Sequence, residues 1–209
     1  MISKFTLSVF LLVATLMACA QERPLDMKMD FEDYDPPSSL VVPEHHVIRA
    51  KFPFVDIHNH QFGMPTMDLG NLISEMDKMN MAVMTNLSGR GRGSTEHLDN
   101  SLKNVKDHYP NRFLVFTNVD FSGIDDDDWT KRTVKQLEDD VKKGASGLKI
   151  YKSLGMFSKD SKGDRIHIDD PRIDPVWAKC GELGIPVLIH AADPKQFWQP
   201  IDNQNERWL

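Results

Sequence analysis

From Phe52 onward, short apolar runs alternate with stretches of helical period, and this alternation leaves the chain few folds to choose from. Runs at Phe52–His58, Ala82–Leu87, Arg112–Val119, Ser146–Tyr151 and Ile185–Ala191 have the length and apolar content of buried strands. Helical patterns lie between them. One falls within Met67–Met81, where Leu69, Leu72, Ile73, Met76 and Met79 follow helical spacing; others fall between Thr95 and His108, from about Asp128 to Lys143, and from Pro175 to Leu183. Strand starts that recur about every 30–40 residues, each followed by a crossover helix, specify an α/β fold with a parallel sheet.

Two architectures satisfy that pattern. A closed (β/α)8 TIM barrel takes roughly 250 residues, so Lys51–Leu209 corresponds to an incomplete TIM barrel of about the first five βα units. The alternative is a complete five-stranded doubly wound sheet. Asn205–Leu209 reads as the opening of a further helix without a Gly or Pro stop. Open strand edges invite pairing, so a homo-oligomer is a possible partner state. Either architecture gathers the carboxyl ends of the strands at one ligand-binding edge.

The N-terminus is of another kind. Lys4 followed by the apolar Phe5–Leu16 reads as an export signal too short to span a bilayer. Leu16-Met-Ala-Cys19 resembles a bacterial lipobox, which makes residues 1–18 a lipoprotein signal peptide and Cys19 the acylated first residue of the mature chain. Residues 19–50, rich in Asp, Glu, Pro and Ser, form a tether. The chain is therefore expected at the bacterial cell envelope, held to the membrane by lipid alone. With Cys19 acylated, only Cys180 remains, which excludes an internal disulfide; Cys180 falls in a helix pattern as a core residue. A net charge of −6 without a basic stripe excludes nucleic acid as a partner and leaves a small-molecule substrate.

The chemistry-bearing residues sit at strand ends. His58 and His60 are two apart, so a strand turns both to the same side, and the fifth run ends in His190. A catalytic zinc takes three protein ligands, at about 2.0–2.1 Å for His, and keeps one position for water. There it lowers the water's pKa to about 7 and polarises a carbonyl. His58, His60 and His190 supply a ligand set for Zn2+ or another divalent metal, but no proton acceptor for the water.

Asp56-Ile-His-Asn-His60, followed by four βα units and Pro186-Val-Leu-Ile-His190, resembles the amidohydrolase superfamily. More narrowly, Gly147-Leu-Lys-Ile-Tyr-Lys-Ser-Leu-Gly155, Asp174-Pro-Val-Trp-Ala-Lys and His190-Ala-Ala-Asp-Pro194 resemble its amidohydrolase-related branch of lactonases, other hydrolases and non-oxidative decarboxylases. The resemblance implies a metal, usually zinc, on His58, His60 and His190. Family members also use a His after strand six and an Asp after strand eight, neither of which has a counterpart in this sequence. On strand four, Lys149 and Lys152 have opposite parity, and Lys149 shares its face with Tyr151. The resemblance implies that a lysine here bridges two metals when carbamylated, or binds a substrate carboxylate, and Lys149 is taken as the catalytic candidate.

The loop Gly89-Arg-Gly-Arg-Gly93 after strand two offers Arg90 and Arg92 as clamps for an anionic substrate, or is simply a solvated loop. Asp125–Asp128 lacks the pattern of a calcium loop and reads as a charged helix start. His167 reads as a surface residue. The function implied is metal-dependent hydrolysis of an amide, ester or lactone bond in a small, carboxylated substrate. The alternatives are decarboxylation on the same fold, or a catalytically inactive lipid-anchored fragment.

Overall fold

In the computed structural model, Pro43, residues 45–190 and 193–202, Asn205 and Arg207 are described. The chain divides into two units, Glu44–Ala192 and a second made of Met1–Pro43 with Asp193–Leu209. The export signal, Cys19 and most of the tether lie outside the described residues, as does most of the helix expected to open at Asn205.

The larger unit carries five parallel strands, β1 (Phe54–Asn59), β2 (Met81–Asn86), β3 (Phe113–Asn118), β4 (Gly147–Ile150) and β5 (Val187–Ile189). They stand side by side in sequence order. Each crossover therefore advances one strand in the same direction, as in a TIM barrel. A doubly wound sheet reverses its strand order at a switch point, and the absence of a reversal here rules that alternative out. The unit is a curled sheet of about five βα units of a TIM barrel.

Helices α1 (Leu69–Met79), α2 (Thr95–His108), α3 (Trp129–Lys143) and α4 (Asp174–Leu183) fill the crossovers. Their ends follow local chemistry. Asp68 caps α1 by accepting from the Gly70 N–H at 2.8 Å, and Asn80 closes it in the left-handed region at φ 67°. Ser94 caps α2 through the His97 N–H. Pro175 opens α4 and Gly184 closes it at φ 65°. The charged start expected for α3 is present, with Asp128 making no side-chain capping bond and pairing with Arg132 instead.

Two apolar clusters join helices to sheet. Leu69, Ile73 and Met76 of α1 and Leu98 and Val105 of α2 pack on Met84, Phe113 and Val115. Trp129, Leu137, Val176 and Cys180 pack on Leu148 and Ile150. Leu148 and Ile150 thus face the helices, which turns Gly147, Lys149 and Tyr151 to the concave side of the sheet. In the insertion after β4, Arg172 pairs with Asp170 and with Asp125 of the loop before α3, while His167 is exposed.

In the second unit, the Asn205 amide donates to the carbonyls of Gln196 and Pro200, both at 2.9 Å, and the Arg207 guanidinium lies 4.0 Å from the Phe197 ring centre. Among the described residues no helix is long and apolar enough to cross a membrane.

Candidate active site

Strands β1, β2 and β3 all end on asparagine, at Asn59, Asn86 and Asn118. An amide both donates and accepts, so an Asn at a strand end can satisfy the backbone of the loop that leaves it. Asn86, fully buried, accepts from the Gln61 and Ser88 N–H groups at 3.0 Å each and donates to the Gln61 carbonyl at 3.2 Å. Asn118 donates to the Leu87 carbonyl at 3.0 Å and accepts from the Arg90 N–H at 3.2 Å. The loops after β1 and β2 are thereby stitched to the strand ends.

On that scaffold the His58 and His60 rings meet edge to face, with centres 5.5 Å apart. His60 Nδ1 lies 2.6 Å from Ser88 Oγ, and the Tyr151 hydroxyl donates to the same oxygen at 3.1 Å. With Nδ1 engaged, Nε2 is the ring nitrogen left for a ligand, an arrangement that fixes ring orientation at metal sites. His60 is held below the usual imidazole pKa, first by desolvation and then by the charges of His58, Lys149 and His190. It therefore favours the neutral form that a metal needs. His190 follows β5, its N–H donating to the Ile150 carbonyl at 3.1 Å.

Lys149 is 1% exposed, and among the described residues its Nζ has no hydrogen-bond partner. Burial alone pushes its pKa down. An unpaired buried ammonium is costly, so this position calls for either a neutral amine or an anion that arrives with a ligand. The Tyr151 hydroxyl is pushed up by burial and stays a proton donor at neutral pH.

The expected residues have different fates. His58 and His60 come together, and His190 lies close enough to His60 to act on its charge. Yet among the described residues no three His, Cys, Asp or Glu side chains are gathered into a metal-holding group. The donor set fits a divalent metal in its chemistry: three imidazoles, of which His60 is disposed to the neutral form. Arg90 is turned to the helix layer: 6% exposed, it donates twice to the Asp140 carboxylate at 2.9 Å and once to Thr95 Oγ1 at 2.7 Å. Its guanidinium is committed to the fold. Arg92 is exposed.

Ser88 and the strand-end asparagines went unread in the sequence, although the recurrence of Asn as the last residue of three consecutive strands was a usable signal.

Five parallel strands in barrel order, with polar side chains collected at their carboxyl ends, define the catalytic edge of a TIM-barrel scaffold. The sequence model of the family described as amidohydrolase matches residues 72–205. The chain belongs to the amidohydrolase family. His190 and Lys149 fall inside the match, whereas His58 and His60 precede it. Two solved structures are similar. A 2,6-dihydroxybenzoate decarboxylase complexed with 2,6-dihydroxybenzoate is 18% identical, over 68% of this chain and 42% of that one, at a TM-score of 0.46. A 2,6-dihydroxybenzoate decarboxylase from Rhizobium is 17% identical, over 76% and 53%, at 0.47. The chain thus spans about half the length of these structures. No curated protein matches it.

Proposed function

We propose that the strand-end site belongs to a metal-dependent hydrolase of a small carboxylated substrate carrying an amide, ester or lactone bond. The observation that carries this reading is the buried Lys149 amine on the concave face, without a hydrogen-bond partner among the described residues and near enough to His60 to act on its charge. A substrate carboxylate would supply the anion that this amine lacks, and would bring the rest of the substrate to the histidines. His58, His60 and His190 would hold the divalent metal, Zn2+ being the first choice for imidazole donors. Such a metal supplies Lewis acidity and lowers the pKa of water. Ser88 orients His60 through Nδ1, and Tyr151 in turn donates a hydrogen bond to Ser88 Oγ. Arg92, exposed on the loop after β2, is left to meet the anionic substrate, since Arg90 is occupied by Asp140.

A second reading follows from the same amine. If the carboxylate held at Lys149 is itself the group that leaves, the site serves a non-oxidative decarboxylation. We further propose that the chain acts at the cell envelope through a lipid on Cys19.

The test is turnover by the metal-loaded chain on carboxylated esters, lactones and amides, with carbon dioxide release followed in parallel on aromatic acids. Hydrolysis that is lost in Lys149→Met, with metal binding retained, supports the first reading. Carbon dioxide release supports the second. Hydrolysis undiminished in Lys149→Met contradicts the assignment of the lysine.

A further inference from the structure

Phe62, on the loop after β1, is 54% exposed, yet its ring lies nearly parallel to that of His60, with centres 6.0 Å apart and planes inclined by 12°. Tyr151 lies at the same separation from His60, inclined by 26°. The site therefore presents two aromatic faces about one imidazole, one of them open to solvent.

The backbone of Phe62 is held from outside its own loop. The His97 ring on α2 bridges two carbonyl oxygens, with Nε2 2.9 Å from Phe62 O and Nδ1 2.8 Å from Gly89 O. Carbonyl oxygens only accept, so each contact draws on a ring N–H. A neutral ring makes either bond and an imidazolium makes both. The space for the ring comes from Gly91, at φ +55°, where a Cβ would stand 2.8 Å from the imidazole. Gly89, which offers the second carbonyl, is equally constrained, because a Cβ there would meet the Phe116 carbonyl at 2.3 Å. Gly91 thus makes room for the His97 ring between the loops after β1 and β2, while Gly89 is constrained by the β3 backbone beside it.

We propose that Phe62 is a specificity residue that selects a planar aromatic or conjugated carboxylate over a saturated one of like size and charge, and that His97 is the positioning residue that holds it in place. The proposal deepens the reading of Lys149 as the carboxylate partner, and it stands independently of the metal. Offset stacking on an aromatic ring favours a planar partner by about three- to tenfold.

The experiment compares benzoate with cyclohexanecarboxylate by titration calorimetry on the full chain, with Zn2+ titrated separately. Benzoate is expected to bind about three- to tenfold more tightly. In Phe62→Leu, an exposed site where folding is not at stake, that ratio falls to about one, while Phe62→Tyr keeps it. In His97→Gln the benzoate affinity falls and the cyclohexanecarboxylate affinity does not, whereas a purely structural role would weaken both. Equal binding of the two acids, binding of neither, or a preference that survives Phe62→Leu overturns the proposal. A preference without Zn2+ binding removes the metal reading alone; Zn2+ binding without a preference removes this one alone.

Discussion

The Ser88 hydroxyl oxygen lies 2.6 Å from His60 Nδ1, at a serine with no exposed surface. A hydroxyl so placed fixes the plane of the imidazole and directs Nε2 to a ligand. Partners of this kind are worth about 10- to 100-fold in metal affinity. Ser88→Ala is accordingly expected to weaken Zn2+ binding by about that factor with little change in melting temperature. A dissociation constant equal to wild type would show that the ring is held by its packing alone.

Arg90 and Asp140 form a buried pair, with side chains 8% and 2% exposed, and Asp140 also accepts from the Thr117 hydroxyl at 2.5 Å. Removing one partner of such a pair strands the other charge, at a cost of about 3–5 kcal/mol. Asp140→Ala and Arg90→Ala should each lower unfolding free energy by that order in urea titrations. Arg92→Ala, at an exposed loop position, should leave it within about 0.5 kcal/mol. Arg90→Ala with full stability would return that residue to the list of substrate clamps.

Cys180 is 2% exposed, and burial pushes its thiol up to about 11. Its folded pKa exceeds its unfolded one, so the neutral thiol's contribution to stability is intact below the unfolded value, near 8.5, and is lost as pH rises through about 11. At pH 8 its thiolate population should be on the order of 100-fold lower than in the unfolded chain. With Cys19 replaced by Ser, native protein should barely react with a chromogenic disulfide reagent at pH 8 and react promptly in denaturant. Prompt reaction in the native state would mean that α4 opens readily.

Gly89 and Gly181 give opposite expectations. A Cβ on Gly89 would collide with backbone, whereas one on Gly181, inside α4, meets nothing within 4 Å. Gly89→Ala should destabilise by about 1–3 kcal/mol. Gly181→Ala should stabilise by about 0.5–1 kcal/mol, as a helix-interior glycine relieved of its entropy cost. Thermal melts of the two variants, read against wild type, should move in opposite directions.

The sheet was legible because apolar period and strand spacing are local properties. Each expected strand, and each helix expected between two strands, overlaps an observed one, and α2 falls at Thr95–His108 as expected. The choice of an incomplete barrel over a doubly wound sheet rested on chain length and the family resemblance and is upheld by the strand order; local pattern alone does not make it, because strand order is decided by contacts between elements far apart in sequence. The inward face of Lys149 followed from parity; the destination of Arg90 did not, since its partner lies 50 positions away on another helix. His97 was hidden for a similar reason. Nothing in the local pattern of α2 marks a ring that reaches 35 positions back to the carbonyl of Phe62.

The central claim is that His58, His60 and His190 bind a divalent metal. Titration of the metal-free chain with Co2+, read by its visible absorption, tests it most directly. The account expects one or two ions per chain and loss of the absorption band in each of His58→Ala, His60→Ala and His190→Ala, with the fold retained by circular dichroism. A chain that binds no Co2+, or one whose band survives all three substitutions, would contradict it.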